Sequence, residues 1–184
     1  MGSVAASGGY YIAAACDSVV ATPGSITGSI GVIAKFSEFS ELFEKLGISF
    51  NVRKSGKFKD TGSISRKMTE EEKALIDSVI MDSYDQFVEA VSEGRSLDPE
   101  FVRKYADGRV FTGRQAKALG FIDILGTYQD AIDLAGEMTG LGANPPVIKE
   151  TKSLFLDMII DGISQVVARG MELAIPRISY IWLN

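Results

Sequence analysis

A serine set among small residues near the start of the chain is the first candidate for chemistry. Ser7 stands directly before Gly8 and Gly9, where an apolar, alanine-rich run typical of a helix begins. A helix start presents unpaired backbone N–H groups and the positive end of the helix dipole, which favour developing negative charge. Ser7 could therefore act as a nucleophile, with the Gly8 N–H donating to the oxyanion formed on attack. Taken alone, this stretch favours the simpler role of a helix N-cap.

The chain contains no histidine, so a serine nucleophile would need another base. This composition excludes Ser-His-Asp and Cys-His arrangements and histidine-based metal sites. A neutral lysine can take the serine proton in the serine-lysine variant of this chemistry. The basic loop 53–67 offers Lys54, Lys57 and Lys59, and the residue pattern does not choose among them. Because a free lysine has a pKa of about 10.4, the base must be desolvated in the assembled site.

The composition restricts the partners of the chain. Its 184 residues carry a net charge of −5 and show no cluster of Lys and Arg that would form a nucleic-acid surface. Peptide or protein partners fit this charge better. Cys16 is the single cysteine, so it cannot form an internal disulfide, and its place among alanines predicts a small buried hydrophobic side chain.

The first third of the chain alternates between helical and β-branched segments, which predicts an α/β fold. Strands are expected at 18–22 and 32–34, with the Gly/Ser/Thr stretch 25–31 as a loop between them. That loop lacks the Gly-Lys-Ser/Thr ending of a phosphate-binding loop, which argues against a nucleotide site. A helix at 37–46 and an alternating strand at 48–52 complete this region.

Later segments carry clearer helix signals. Thr69 and Glu72 form the sequence pattern of a capping box that opens a long amphipathic helix to about residue 93. Three more helices are predicted, with an extended segment at 121–125, and they begin at Pro99, Thr112 and Thr127. All four helices are predicted to be scaffold elements.

The end of the chain differs from the rest. Residues 140–150 include the only linker-like stretch, rich in Gly, Asn and Pro, and residues 1–139 before it form the predicted domain. Residues 151–184 are expected to form an apolar helix and tail. This segment either packs on its own domain or contacts a partner or a membrane surface.

Several separated motifs resemble one protein family. The segment Ala5-Ala6-Ser7-Gly8-Gly9-Tyr10-Tyr11 is similar to the nucleophile segment of the signal peptide peptidase A family, serine proteases of the Clp/crotonase superfamily. Four further stretches resemble that family in its order, and they are Thr22-Pro23, Thr27 to Val32, Lys54 to Asp60 and Ala106 to Ala116. The likeness extends from residue 1 to about 139 and is looser beyond.

The resemblance implies specific roles and a fold. It makes Ser7 the nucleophile, Lys59 the general base and Ser29 the hydroxyl that orients the lysine, with the Gly8 N–H as one oxyanion donor. It implies a Clp/crotonase-like layered α/β fold with short strands and amphipathic helices, here lacking its N-terminal strands and the upstream glycine N–H of the oxyanion site. The chain is then expected to be the C-terminal part of a half-length member.

The resemblance also implies an activity and a location. The family degrades signal peptides left in the membrane, without a cofactor or a metal, and assembles into homo-oligomeric rings. Its members are anchored in the cell membrane by an N-terminal segment, absent here, with the catalytic side away from the cytoplasm. In half-length members Ser7 and Lys59 could meet across two protomers.

Two other functions stay open from the sequence. A crotonase-type acyl-CoA enzyme would need acid/base carboxylates near the oxyanion site, and none stands beside Ser7, Gly8 and Gly9. In a noncatalytic assembly scaffold, Ser7 would be a cap and Lys59 a solvated side chain. Covalent labelling of Ser7 by a serine-directed probe separates the hydrolase from the scaffold.

Overall fold

Three short strands form the sheet that carries Ser7 at its edge. In the computed structural model, which describes residues 1–148 and 178–179, β1 (Val4–Ala6) pairs in parallel with β3 (Ile26–Gly28). On its other side β3 pairs antiparallel with β5 (Val110–Thr112). Ser7 therefore follows directly after the last residue of β1.

The remaining elements are short strands and helices. The strand β2 (Val20–Ala21) pairs in parallel with β6 (Ile124–Leu125), and β4 (Ile33–Ala34) pairs with β7 (Ile178–Ser179). The described helices are α1 (Gly8–Ala14), α2 (Ser40–Lys45), α3 (Glu70–Arg95), α4 (Pro99–Tyr105), α5 (Gly113–Ala118) and α6 (Tyr128–Met138). The expected mixed α/β class is confirmed.

The chain divides into two compact units. Of the described residues, the first unit contains 1–33, 75–145 and 179, and the second contains 34–74, 146–148 and 178. The predicted C-terminal helix and tail, 151–184, lie outside the described residues apart from Ile178 and Ser179. None of the helices that are described is long and apolar enough to cross a membrane.

The core of the first unit forms around α1. Tyr10, Phe87 and Phe121 are completely buried there. The Tyr10 hydroxyl donates to the Phe121 carbonyl oxygen at 2.7 Å, and burial raises the pKa of that hydroxyl, so it stays a donor. The Tyr11 ring meets the Phe87 ring of α3 edge-on, with centroids 4.9 Å apart. These contacts fix the helix whose first residue follows Ser7.

The helix starts predicted from capping patterns are confirmed. The Glu72 N–H donates to the Thr69 hydroxyl at 3.2 Å, and the Thr69 N–H donates to the Glu72 carboxylate at 2.9 Å. Thr112 and Thr127 form equivalent boxes, and Asp98 caps α4. These contacts span three residues or fewer, so the local sequence specifies them.

The strand predicted at 48–52 is wrong. These residues form no strand, and the Phe50 ring packs instead on the Phe43 ring of α2, with centroids 4.9 Å apart. The loop predicted at 25–31 is also partly wrong, because Ile26–Gly28 is β3. Its buried Thr27 hydroxyl donates to the Ala5 carbonyl oxygen at 2.7 Å, which removes the cost of burying a polar side chain in a sheet.

Cys16 corrects a further prediction. Its side chain is exposed rather than buried. The helix α1 ends at Ala14 with Ala15 as its C-cap, so Cys16 lies in the turn beyond the helix. The apolar periodicity of α1 therefore does not extend to the cysteine.

We expect Gly94→Ala to destabilise the first unit. A Cβ atom at Gly94 of α3 would lie 2.0 Å from the Ala14 carbonyl oxygen at the end of α1, so the two helices would have to separate. The free energy of unfolding, measured by urea denaturation, should fall by about 1–3 kcal/mol.

Helix propensity alone predicts that Gly94→Ala raises the free energy of unfolding by about 1 kcal/mol. The two effects have opposite signs, so the measurement separates them. Gly24→Ala is the control, because nothing lies within 4 Å of the added methyl group. A Gly94→Ala protein as stable as the control would contradict this packing.

Candidate active site

Ser7 forms the sharp turn between β1 and α1. Its backbone has φ 51° and ψ −119°, a conformation that side-chain-bearing residues rarely adopt. The Ser7 N–H donates to the Gly28 carbonyl oxygen of β3, and the Ser7 carbonyl oxygen accepts from the Tyr11 N–H, both at 2.8 Å. A serine on a strained strand-to-helix turn is the arrangement by which several hydrolases present a nucleophilic hydroxyl.

The side chain of Ser7 does not cap the helix. It occupies the N-cap position of α1 but makes no side-chain hydrogen bond there, and the residue is 6 % exposed. The role that the isolated stretch favours, a capping serine, is therefore wrong. Gly8 follows as the first residue of α1, and its N–H has no partner within the helix.

Ser29 lies beside the same strand end as Ser7. It follows Gly28, has φ 52°, and its N–H donates to the Arg109 carbonyl oxygen at 2.8 Å. Ser7 and Ser29 are thus both tied to the β3 end, and both line one pocket of about 710 Å³. The structure brings these two predicted site residues together.

The rest of the pocket lining is largely apolar. Ile80, Met81 and Tyr84 of α3 line it together with Val32 and Ile33. The long helix, predicted as scaffold only, therefore also contributes to the site. Its apolar periodicity indicated a buried face but did not distinguish core from pocket.

The family-like stretch 106–109 and the helix α4 before it contribute further polar residues to the lining. Asp107 and Arg103 border the pocket, and the Gly108 N–H donates to the Ile30 carbonyl oxygen at 3.0 Å. The guanidinium of Arg109 donates to the Asp107 carboxylate at 2.7 and 2.5 Å, which lowers the pKa of Asp107 to about 2.

The candidate lysines lie in the second unit and differ in their partners. The Lys54 Nζ donates to the Asp60 carboxylate at 2.5 Å, and the Lys57 Nζ pairs with Glu71. The exposed side chain of Lys59 has no hydrogen bond or ion pair to any residue that the structure describes. Of the three lysines, Lys59 alone has a side chain without a partner among the described residues.

An ion-pair cluster holds the loop around Lys59. The Arg66 guanidinium donates to both carboxylate oxygens of Asp60, at 2.8 and 2.9 Å, and to those of Glu72, at 2.5 and 2.8 Å. These hydrogen bonds lower the pKa of Asp60 well below its ordinary value and that of Glu72 to about 2. This cluster is not predicted by the sequence pattern.

We expect the strained backbone at Ser7 to be visible in stability. Ser7→Gly should raise the free energy of unfolding by about 1 kcal/mol, because glycine adopts φ 51° without a Cβ clash. Ser7→Ala keeps the Cβ atom and loses no cap bond, so its change should stay within about 0.5 kcal/mol. Urea denaturation followed by circular dichroism measures both, and a glycine variant less stable than the alanine variant would contradict the assigned backbone geometry.

The Arg66 cluster should make stability depend on acid pH. The pKa of Glu72 is lowered from an ordinary 4.5 to about 2, so its contribution is present above about pH 4.5 and is lost as pH falls towards 2. Between about pH 6 and about pH 3, the wild type should therefore lose more stability than Glu72→Gln. Glu71→Gln, which removes an exposed partner of Lys57, is the control and should follow the wild type. Equal acid sensitivity of wild type and Glu72→Gln would contradict the cluster.

Known proteases resemble this chain over most of its length. The model of peptidase family S49 matches residues 1–142. A putative protease of Synechocystis sp. is 49% identical over 140 residues, which cover 76% of this chain and 50% of that protein. A putative signal peptide peptidase SppA of Enterococcus faecium is 45% identical over 131 residues, which cover 71% of this chain and 38% of that protein.

A more distant relative spans more of the chain. A putative protease of Methanocaldococcus jannaschii is 36% identical over 179 residues, covering 95% of this chain and 55% of that protein. The chain thus spans about half the length of these relatives, or less. Because the family model covers well over half of it, the chain belongs to peptidase family S49, the proteases that include signal peptide peptidase A.

Proposed function

We propose that this chain supplies the catalytic part of a serine endopeptidase that works through Ser7 and Lys59. The observation that carries the proposal is the Ser7 turn: the hydroxyl makes no capping bond, the backbone is strained, and the residue lines a pocket large enough for a peptide side chain. The layered Clp/crotonase-like arrangement expected from the sequence belongs to the same proposal.

The reaction runs through an acyl-enzyme. The neutral Lys59 amine takes the proton of the Ser7 hydroxyl as the Ser7 oxygen attacks the scissile carbonyl carbon. The resulting oxyanion accepts from the Gly8 N–H. The Lys59 ammonium then gives its proton to the leaving amine, and water releases the acyl group by the same steps. One oxyanion donor contributes roughly 3–4 kcal/mol to such a step, so a second donor upstream of this chain would matter.

The partners of the three loop lysines support Lys59 as the base. Lys54 and Lys57 are held by Asp60 and Glu71, whereas Lys59 has no partner in the described part of the chain. In general a nearby carboxylate favours the charged form of a lysine, so a lysine without such a partner suits the role of the base better. Ser29 is the orienting hydroxyl in this proposal, because a hydroxyl can accept from the ammonium and donate to the amine.

The substrates in this proposal are peptides with apolar side chains, among them cleaved signal peptides. Ile80, Met81 and Val32 give the pocket an apolar wall, which suits such side chains. The name of the Enterococcus faecium relative points to the same class.

The proposal also covers the whole protein. It includes a membrane segment upstream of residue 1, a homo-oligomeric assembly and a catalytic side that faces away from the cytoplasm. The domain 1–139 carries the chemistry, 140–150 links it to 151–184, and Ser7 and Lys59 meet within one protomer or across two.

An acyl-CoA enzyme finds no support in the pocket. Such an enzyme needs a carboxylic acid that exchanges protons near the oxyanion site. Asp107 lines the pocket, but its pKa of about 2 keeps it charged at neutral pH, and Arg109 occupies its oxygens. Membership of a protease family points the same way.

We expect Lys59→Arg to be as inactive as Lys59→Ala in the full-length protein. Arginine keeps the positive charge but does not lose its proton at working pH, so it cannot act as the base. Hydrolysis of fluorescein-labelled casein measures the loss, which should be about 100-fold or more for both variants.

Lys57→Ala is the matched control from the same loop. Its side chain is paired with Glu71 and mostly exposed, so its removal should leave casein hydrolysis nearly unchanged. An active Lys59→Arg protein, or a Lys57→Ala protein as inactive as Ser7→Ala, would show that the base is a different lysine.

A further inference from the structure

We propose that Arg66 is a positioning residue that keeps the carboxylate of Asp60 away from Lys59, so that the base has no counter-ion. The inference rests on the proposed function, in which Lys59 accepts the serine proton. Asp60 directly follows Lys59 in the chain, so a carboxylate lies next to the proposed base. A free carboxylate at that position would pair with the ammonium and hold it protonated.

The geometry shows how Asp60 is occupied. Both of its carboxylate oxygens accept from Arg66, in a two-pronged contact at 2.8 and 2.9 Å, and one also accepts from the Lys54 Nζ at 2.5 Å. Arg66 further donates to the Asp60 backbone carbonyl oxygen at 3.2 Å. The side chain of Asp60 is 16 % exposed. No oxygen of this carboxylate is left without a cationic donor.

The guanidinium is anchored from the other side. Glu72, whose side chain is 3 % exposed, accepts from Arg66 through both oxygens. Glu72 in turn accepts from the Thr69 N–H in the capping box and from the Thr61 hydroxyl at 3.3 Å. The guanidinium of Arg66 therefore links Asp60, the residue after Lys59, to Glu72 at the start of α3.

The charges of the cluster balance. Two carboxylates, Asp60 and Glu72, face two cations, Arg66 and Lys54. The neighbouring charges are also paired, Lys57 with Glu71 and Lys67 with Glu41. No anion of the loop remains for Lys59. Arginine suits this task better than lysine, because its planar fork binds two carboxylates at once and stays charged.

Loss of Arg66 should expose Lys59 to Asp60. With one of its two cations removed, the carboxylate can turn to the ammonium of the next residue. An opposite charge within about 4–6 Å raises the pKa of a lysine by about one unit or more. About tenfold less neutral amine is then present at neutral pH. The rate of proton removal from Ser7 should fall by the same factor, and should recover at alkaline pH.

The test is the pH dependence of covalent inactivation of the full-length protein by a fluorophosphonate. The second-order rate constant reports removal of the Ser7 proton, independently of peptide preference. In Arg66→Gln, the midpoint of its rise with pH should move up by about one unit relative to wild type, with a similar rate at the alkaline limit. A purely structural role would lower the rate at every pH and leave the midpoint in place.

Three variants control the result. Asp60→Asn/Arg66→Gln lacks the freed carboxylate, so its midpoint should not be raised. Glu72→Gln disturbs the same cluster but leaves Arg66 on Asp60, and Lys57→Gln removes an exposed pair of the same loop, so neither should raise the midpoint. An unshifted midpoint in Arg66→Gln, or a raised midpoint in the double variant, would overturn the inference.

Two further measurements keep the test decisive. If Arg66→Gln does not fold, Lys54→Gln removes the other partner of Asp60 and should raise the midpoint by a smaller amount; an unchanged midpoint there overturns the inference. Lys59→Ala separates the two claims. If it is inactivated as fast as wild type, the proposed function fails, whereas a slow Lys59→Ala with an unshifted Arg66→Gln refutes only the role of Arg66.

Discussion

The backbone of Ser7 is the constraint on which the site depends. The conformation of Ser7, with φ 51° and ψ −119°, costs about 1–3 kcal/mol. It is kept only because the surrounding contacts fix the backbone on both sides of the residue. The bond from the Ser7 N–H to Gly28 fixes one side of the turn, and the start of α1 fixes the other. The buried Tyr10 and its bond to Phe121 hold α1 in place. Core packing thus maintains the strain that presents the hydroxyl.

The end of β3 serves both serines. Gly28 accepts from the Ser7 N–H, and Ser29 directly follows it with its own N–H bonded to Arg109. A side chain at Gly28 would clash with the Phe111 ring, since a Cβ atom there would lie 2.5 Å from it. One strand end therefore positions the hydroxyl of Ser7, that of Ser29 and the stretch 106–108 that lines the pocket. The motifs around Ser7, around Ser29 and at 106–109 lie far apart in the chain but meet in space at this strand end.

Local features could be predicted from the sequence, and non-local pairings could not. The capping box at Thr69 and the start of α6 depend on residues three apart, and both are confirmed. The strand β3 depends on β1 and β5, which lie far away in the chain, and its polar residues suggested a loop.

For the candidate site, residue chemistry alone predicted Ser7 and a choice of three lysines, and only the family resemblance selected Lys59. The contacts of Arg66 could not be predicted, because its partners Asp60 and Glu72 lie six positions away on each side, a spacing that matches no helix or strand period.

In the proposed reaction, Ser7 is the nucleophile and Lys59 activates it. Mass-spectrometric mapping of the fluorophosphonate adduct in the full-length protein at neutral pH tests this most directly. We expect an adduct on the peptide that carries Ser7, none on Ser29, and a strong loss of labelling in Lys59→Ala. An adduct on another serine, or a protein that hydrolyses peptides while Ser7 stays unlabelled, would contradict it.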